Sequence, residues 1–286
     1  MQINWKLKSF LFFIIGAFRL HRFMFLLQKY LLKSSAISRP KSKNEWVNRL
    51  RFAEKHRIML NRYAPINASI LEFGVGKNLM QNLYLSTSVG QQLVIDRMPM
   101  ADVDLIEKSR QYINCFNKRE LPHLVTSIDD LRKYNINYLA PMNICGLDKV
   151  GVLDACVSTN VLEHMSRSEL RDCFNTCWHM LKVGGILCSQ IDYADHYSYT
   201  DTKITKLNFL KFSEKEWNNH NHYLHFQNRI RHHEYTDLLE DCGYTIEYEL
   251  PVFEEEMSLN VDETLPDPNW PVTWRATSGY IVAKKT

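Results

Sequence analysis

The chain has no CxxC pair, although it carries seven cysteines, at 115, 145, 156, 173, 177, 188 and 242. Their number is odd, their spacing scattered, and most sit in apolar sequence such as LDACVS and GGILCSQ. Cys173 and Cys177, four apart, are poorly spaced for a zinc knuckle. These absences argue against a disulfide framework and a cysteine zinc site; reduced, buried thiols in a cytosolic chain are expected. Long apolar runs are missing too. Phe10 to Phe18 is nine residues, where a bilayer-spanning helix needs about twenty. Lys6 and Lys8 precede that run as in a signal peptide, but Arg19, His21 and Arg22 follow and no convincing cleavage site appears. There is no internal repeat and no low-complexity tract. With 286 residues, 45% hydrophobic and 23% charged, the chain can build one large cored domain with additions, or two small ones.

Acidic residues are almost absent from the front end. Residues 1–63 carry fourteen Lys or Arg against only Glu45 and Glu54, whereas 247–267 carry eight Asp or Glu and no basic residue. A basic front end points to an anionic surface, either membrane or nucleic acid, or else to a solvated face. Its basic residues are interleaved with Phe and Leu, and the chain has no Asn/Asp-Pro-Pro-Tyr motif, so no nucleic-acid partner is expected. If residues 5–33 are helical, Lys8, Arg19, Arg22, Lys29 and Lys33 fall on one side at about 100° per residue. That pattern predicts a helix lying in a membrane interface, on the inner face of the cytoplasmic membrane. The alternative is a helix packing its apolar side onto the domain. Residues 34–44 read as a linker, which divides the chain into an extension, 1–44, and a domain, 45–286.

From Ser69 onward short apolar runs alternate with amphipathic stretches. SILEF, QLVID, INYLA, VLDACVS and GILCSQI are strand candidates, and 77–87, 99–116, 163–181 and 232–242 are helix candidates. YTIEYEL and SGYIVAKK add two strands with no clear helix between them. The expected fold is α/β: a Rossmann-like, doubly wound, seven-stranded, mostly parallel sheet covered on both faces. Residues 192–231, dense in His, Asn, Tyr and Asp, read as a substrate-facing insertion.

The stretch SILEFGVGKN places a carboxylate and two glycines at the end of the first strand, where ligands bind in such sheets. Glycine lets backbone turn sharply and approach a ligand closely. The third glycine of a dinucleotide loop is replaced by Leu79, which argues against a pyrophosphate. Glu72 argues likewise, because a carboxylate there repels phosphate and suits an amino group or a sulfonium. S-adenosylmethionine meets those demands. Asp96, ending QLVID, is placed to accept both ribose hydroxyls, a device that nicotinamide enzymes share.

The succession LEFGVG, VID, VLDACVSTNVLEHM and HMLKVGGILCSQID resembles the class I S-adenosylmethionine-dependent methyltransferases, from about residue 65 to the C-terminus. The segment 192–231 resembles a bacterial subgroup associated with surface polysaccharide synthesis. The resemblance implies that Glu72 holds the methionyl amino group, with Gly74 and Gly76 under the ligand and Asp96 on the ribose. Asn143 stands where the family often has an acidic residue contacting adenine, and Asn78 where some members have a third glycine. Thr159 and Asn160 are implied to lie near the methyl group.

Methyl transfer is an in-line displacement in which the enzyme chiefly aligns the nucleophile. An aliphatic hydroxyl also needs a general base. Candidates are His164, Asp192, Asp195 and His196, with His196 favoured and Asp195 or Asp192 orienting it. A helix-start role for Glu163 and His164, or a surface location for His196, is the plainer alternative. Some superfamily members bind a divalent ion through Glu-x-x-Glu-His at this place; Asn160 replaces the first acid, and no metal is expected. Histidines 220, 222, 225, 232 and 233 are not spaced for zinc on one helical face. Asn228, Arg229 and Arg231 are candidates for gripping a polar or anionic acceptor, with surface ion pairs as the alternative. The leading expectation is O-methylation of a sugar hydroxyl on a surface glycan or its lipid- or nucleotide-linked precursor. A quinone precursor or other phenol, held among Tyr193, Tyr197, Tyr199, Phe209 and Trp217, is the second. A non-catalytic scaffold is the third, disfavoured by the intact Glu72, Gly74, Gly76 and Asp96.

Overall fold

Strands that read as unbroken apolar runs must be covered on both faces, and the computed structural model shows how. It describes residues 3–17, 43–117, 120–147, 150–254 and 271–286. Seven strands, β1 (Ser69–Phe73), β2 (Gln91–Ile95), β3 (Ile136–Leu139), β4 (Leu153–Thr159), β5 (Leu181–Asp192), β6 (Tyr244–Val252) and β7 (Ser278–Lys285), form one sheet. Their order is β3-β2-β1-β4-β5-β7-β6. The first five are parallel, and β7 lies antiparallel between β5 and β6. This is the expected seven-stranded, mostly parallel, Rossmann-like sheet. Six of the seven residues of β4 are buried, as a central parallel strand requires.

Alternate side chains of each strand enter opposite cores. Ile70, Ala155 and Val157 join the core under α2 (Lys43–Tyr63), α3 (Met80–Leu85) and α4 (Val103–Asn117). Leu71, Phe73 and Cys156 join the other, under α5 (Arg167–Met180) and α7 (His232–Asp241). Chain order reverses between β1 and β4, so their carboxyl ends flank the switch point.

Three helices start later than the sequence implied, α4 among them at Val103. Helix α5 begins at Arg167, because Ser166 and Glu169 form a capping box and Ser166 Oγ accepts from Glu169 N–H. Glu163 and His164 therefore lie before the cap, in a short 3-10 turn, and not in the first helical turn. Helix α3 starts only at Met80, after Leu79 takes a left-handed φ of 42°.

A third apolar cluster joins α1 (Trp5–Ala17) to the 192–231 segment, which contains the short α6 (Glu214–Asn218). Trp5 packs on Tyr197, Phe212, Trp217 and His220, its backbone N–H donates to Asp201, and Phe12 stacks on His225 at 4.7 Å. One side of α1 therefore seats on the domain. Its opposite side leaves Leu7, Phe10 and Leu11 exposed. Lys8, expected on an outer basic stripe, instead turns inward, bonding Thr200 Oγ1 and lying over the Tyr197 ring. The rest of that stripe, Arg19, Arg22, Lys29 and Lys33, lies outside the described residues, as does most of the acidic stretch 247–267. No described helix is long and apolar enough to cross a membrane. Cys156, Cys173, Cys177 and Cys188 are buried free thiols as expected, but Cys115 and Cys145 are exposed.

Candidate functional site

The loop after β1 shows why its glycines are glycines. Gly74 (φ +72°) and Gly76 (φ +69°) both occupy the left-handed region. A Cβ on Gly74 would stand 2.5 Å from Val161 Cγ2, whereas one on Gly76 would meet nothing within 4 Å. The first glycine lets the loop touch the end of β4, and the second faces open space. That space is a cleft of about 370 Å³ bordered by Gly74, Gly76, Asp96, Asn143, Asn160 and His164. Its other walls are largely apolar, with Met98, Met100 and Met142 among them. Asp96 is mostly buried at the end of β2. Its carboxylate accepts from Gly76 N–H (3.1 Å) and Met98 N–H (3.3 Å), and burial raises its pKa. An acidic edge, bare glycine backbone and a flat apolar slot fit an adenosine whose ribose hydroxyls reach Asp96 and whose base lies on methionine.

Glu72 is placed differently from the expectation. It is 3% exposed and does not border the cleft. Gln81 Nε2 (2.6 Å) and Asn82 Nδ2 (2.8 Å) occupy its two oxygens, and burial pushes its pKa up to about 8. The left-handed turn at Leu79 starts α3 over the end of β1 and brings both amides onto the carboxylate. Thr159 is likewise turned from the cleft. Its Oγ1 accepts from Gln81 Nε2 (2.9 Å) and pairs with His56 Nε2 (2.9 Å), and His56 Nδ1 pairs with the Tyr280 hydroxyl (2.8 Å). Gln81, Asn82 and His56 had no signal in the sequence, since His56 lies on α2 and reaches β4 only through the fold.

A second set of groups gathers beyond His164. His196 Nε2 lies 3.3 Å from Asp192 Oδ2, an ion-pair distance that is out of line for a hydrogen bond. The Tyr199 hydroxyl donates to the same Asp192 oxygen at 2.6 Å. Burial works against the Asp192 charge, but His196, the Tyr199 hydroxyl and the Ala194 N–H outweigh it, and its pKa is lowered. The His164 and His196 rings are 5.1 Å apart, and burial lowers the His164 pKa. Glu163 is 1% exposed; burial, then the nearby Asp192, raises its pKa well above the ordinary value. Asp192 is therefore the carboxylate beside His196. Asp195 is fully buried and accepts from Tyr197 N–H and Asn208 Nδ2, which spends it on the insertion's own structure.

Of the three acceptor candidates, Asn228 and Arg229 border one cavity and Arg231 does not. Arg231 is fully buried and donates to the carbonyls of Trp274, Tyr193 and Ala276, so it is a structural clamp with no exposed face. Asn228 ties the 162–165 turn to α7 through Leu162 O, Met165 O and the Tyr235 hydroxyl. Arg229 pairs with Glu214 and, with Trp217 and Asn221, borders a second cavity of about 540 Å³ on the insertion. The histidines 220, 222, 225, 232 and 233 do not converge. His220 bonds Ser9 and His232 pairs with Tyr193 and Glu249. Among the described residues the group that converges is Glu163, His164 and His196.

No protein-family model matches the chain, and no curated protein matches it. Solved structures do. A protein from Pyrococcus horikoshii is similar over 91% of this chain and 98% of its own, with a TM-score of 0.53 and 14% identity. The CurJ carbon methyltransferase is similar over 91% of this chain and 61% of its own, with a TM-score of 0.50 and 14% identity. A methyltransferase from Methanosarcina mazei matches at a TM-score of 0.45 and 16% identity, over 79% of this chain and 96% of its own. The first two share the fold of this chain, and one of them, CurJ, is a carbon methyltransferase.

The buried His56 generates a test. Burial drives its pKa from 6.5 to about 3, so between those values the folded state binds fewer protons than the unfolded chain. Its contribution to stability is present above pH 6.5 and is lost as pH falls towards 3, at about 1.4 kcal/mol per unit. Urea melts at pH 7 and pH 5 are expected to separate for the native chain by on the order of 2 kcal/mol more than for His56→Gln. Equal losses in both proteins would place a charged His56 in the folded state.

Proposed function

We propose that this chain is an S-adenosylmethionine-dependent methyltransferase that methylates a hydroxyl oxygen, with a sugar as the acceptor class. The observation that carries this is one cleft bordered together by Asp96, the glycine loop, Asn160 and His164. Asp192 and His196 stand beyond His164. The fold supports the reading, being one that a methyltransferase uses. S-adenosylmethionine supplies a methyl group already activated on a sulfonium. Asp96 accepts the ribose hydroxyls, Gly74 and Gly76 present bare backbone, and Asn143 faces the base. Glu72 serves this site indirectly, as the brace that fixes Gln81 and Asn82 under the loop. Proton loss from the acceptor is handled where His196 and Asp192 meet.

The choice of a sugar over a phenol rests on the insertion. Tyr193, Tyr197 and Phe209 are buried in packing, which leaves no open aromatic slot among them. The larger cavity instead combines Trp217 and Phe212 with Asn218, Asn221 and Arg229, an apolar surface with amide and guanidinium donors that suits a hydroxylated ring. The outward face of α1 is the element of this reading that would bring the enzyme to lipid-linked acceptors. Leu7, Phe10 and Leu11 are exposed there, beside the basic front end.

Three outcomes follow. Asp96→Ala is expected to weaken S-adenosylhomocysteine binding in calorimetry about tenfold to a hundredfold, the worth of hydrogen bonds to a charged group; unchanged affinity removes Asp96 from the cofactor site. His196→Ala is expected to lower turnover roughly a hundredfold or more while cofactor affinity stays the same, and full activity would clear it of any part in the chemistry. Phe10→Glu is expected to reduce co-sedimentation with vesicles containing anionic lipid. Equal recovery of variant and native chain in the pellet would refute lipid contact by this face.

A further inference from the structure

Among the described residues, buried carboxylates are almost all spent on hydrogen bonds. Glu72 is held by two amides, and Asp195 by an amide and a backbone N–H. Glu163 is the exception. It is 1% exposed, and neither of its side-chain oxygens has a hydrogen-bond partner. A carboxylate taken from water without compensation is unfavourable, and native structures hold few such groups without a reason.

The neighbours of Glu163 supply one. His164 Nδ1 lies 2.7 Å from the carbonyl oxygen of Phe226. A carbonyl only accepts, so Nδ1 carries the proton and Nε2 keeps its lone pair. That is the arrangement in which a ligating imidazole is oriented by a backbone carbonyl behind it. His196 Nε2 is buried, also without a hydrogen bond, and stands 3.3 Å from Asp192 Oδ2. One donor atom from each of Glu163, His164 and His196 falls within 4.8 Å of the others. Two chain segments build the group. The turn after β4 brings Glu163 and His164, and the loop after β5 brings His196, thirty-two residues after His164 in the sequence. The run Asn160-x-x-Glu163-His164, judged alone, was one charged donor short. The missing donor arrives from the other segment.

We propose that Glu163, His164 and His196 bind one divalent first-row transition ion, with Asp192 as the adjoining carboxylate. Imidazole and carboxylate together suit manganese, iron, cobalt or zinc; magnesium prefers an all-oxygen octahedral shell. The ion satisfies both oxygens of Glu163, which the fold leaves without a hydrogen bond, and takes His196 Nε2 in exchange for its 3.3 Å contact with Asp192. Bound beside the cleft, it lowers the pKa of a hydroxyl that reaches it, and His196 then serves as its ligand in place of acting as a free base. Ion binding does not depend on the methyl-transfer reading, and either can fail without the other.

The test uses the full chain, stripped with a chelator, dialysed, and titrated with manganese chloride or zinc chloride alone in calorimetry, with bound metal counted by atomic emission. The native chain is expected to take up one equivalent of either ion and to gain thermal stability on doing so. Glu163→Gln and His196→Ala are each expected to bind at least tenfold more weakly and to lose the metal-dependent rise in melting temperature. Circular dichroism and S-adenosylhomocysteine affinity are followed in parallel, and if one variant fails to fold the other makes the comparison. Absence of a stoichiometric site in the native chain, or native affinity in either folded variant, overturns the proposal. Retained S-adenosylhomocysteine binding alongside that result would leave the methyltransferase reading standing.

Discussion

The contact between Gly74 and Val161 is the constraint on which the site rests. A single methyl group on Gly74 would lie 2.5 Å from the Val161 side chain, well inside van der Waals contact, so any other residue would push the two loops apart. Those loops flank the point where strand order reverses. Their close approach puts Asn160 and His164, from the end of β4, around the same cleft as Asp96, from the end of β2. The second glycine answers a different need. Gly76 has room for a side chain but holds a φ of +69°, and its N–H is aimed at Asp96 Oδ2. Packing selects one glycine and backbone direction the other.

That distinction explains how much was legible in the sequence. The strands were legible, because a central parallel strand has to be largely apolar, as β1 and β4 are; β3, at the sheet edge, is buried only at Ile136. The position of the cleft was legible too, since Asp96 and the glycine pair that border it sit at strand ends. Side-chain direction was not. Glu72 has the position of a cofactor ligand, yet amides nine and ten residues later take both its oxygens. Nothing in the loop's spacing reports that α3 will fold back over it. Arg231 presents the same difficulty in reverse. A guanidinium in a polar insertion looks free, and only the fold shows three backbone carbonyls claiming it. Helix α2 is not among the helix candidates of the sequence, because its apolar residues are interleaved with charged ones. Its buried set, Leu50, Ala53, Met59 and Leu60, is narrow, although His56 within it reaches the centre of the sheet.

The two buried glutamates near the cleft show how surroundings divide one residue type between tasks. Glu72 has two amide donors against it, and these partly offset the burial that raises its pKa to about 8. It ends a continuous polar path running through Gln81, Thr159 and His56 to Tyr280. Every member of that path has a partner, which stiffens the floor beneath the glycine loop. Neither Glu163 oxygen has a hydrogen-bond partner of ordinary geometry, and burial, then the nearby Asp192, disfavours its charge against the weaker pull of the Glu163 and Asp192 backbone N–H groups. A carboxylate whose partners are complete is structural; one with none is poised for a ligand. The contrast between them lies in the hydrogen-bond partners each carboxylate finds, which the shape of the glycine loop alone does not report.

The same logic extends outward to α1. Trp5 enters an aromatic cluster with Tyr197, Phe212 and Trp217, and Phe12 stacks on His225. The His225 ring lies 5.9 Å from the ring of His196. A chain of packed rings therefore joins α1 to His196. The insertion that carries His196 is held from one side by the sheet, through Arg231, and from the other by α1. Neither support is a surface ornament. Arg231 fixes where the insertion leaves β5, at Tyr193, and α1 fixes how closely its far edge folds back over His196. A change that loosens α1 acts on the ring packing next to His196 before it reaches the cofactor cleft, because Asp96 and the glycine loop share none of those contacts.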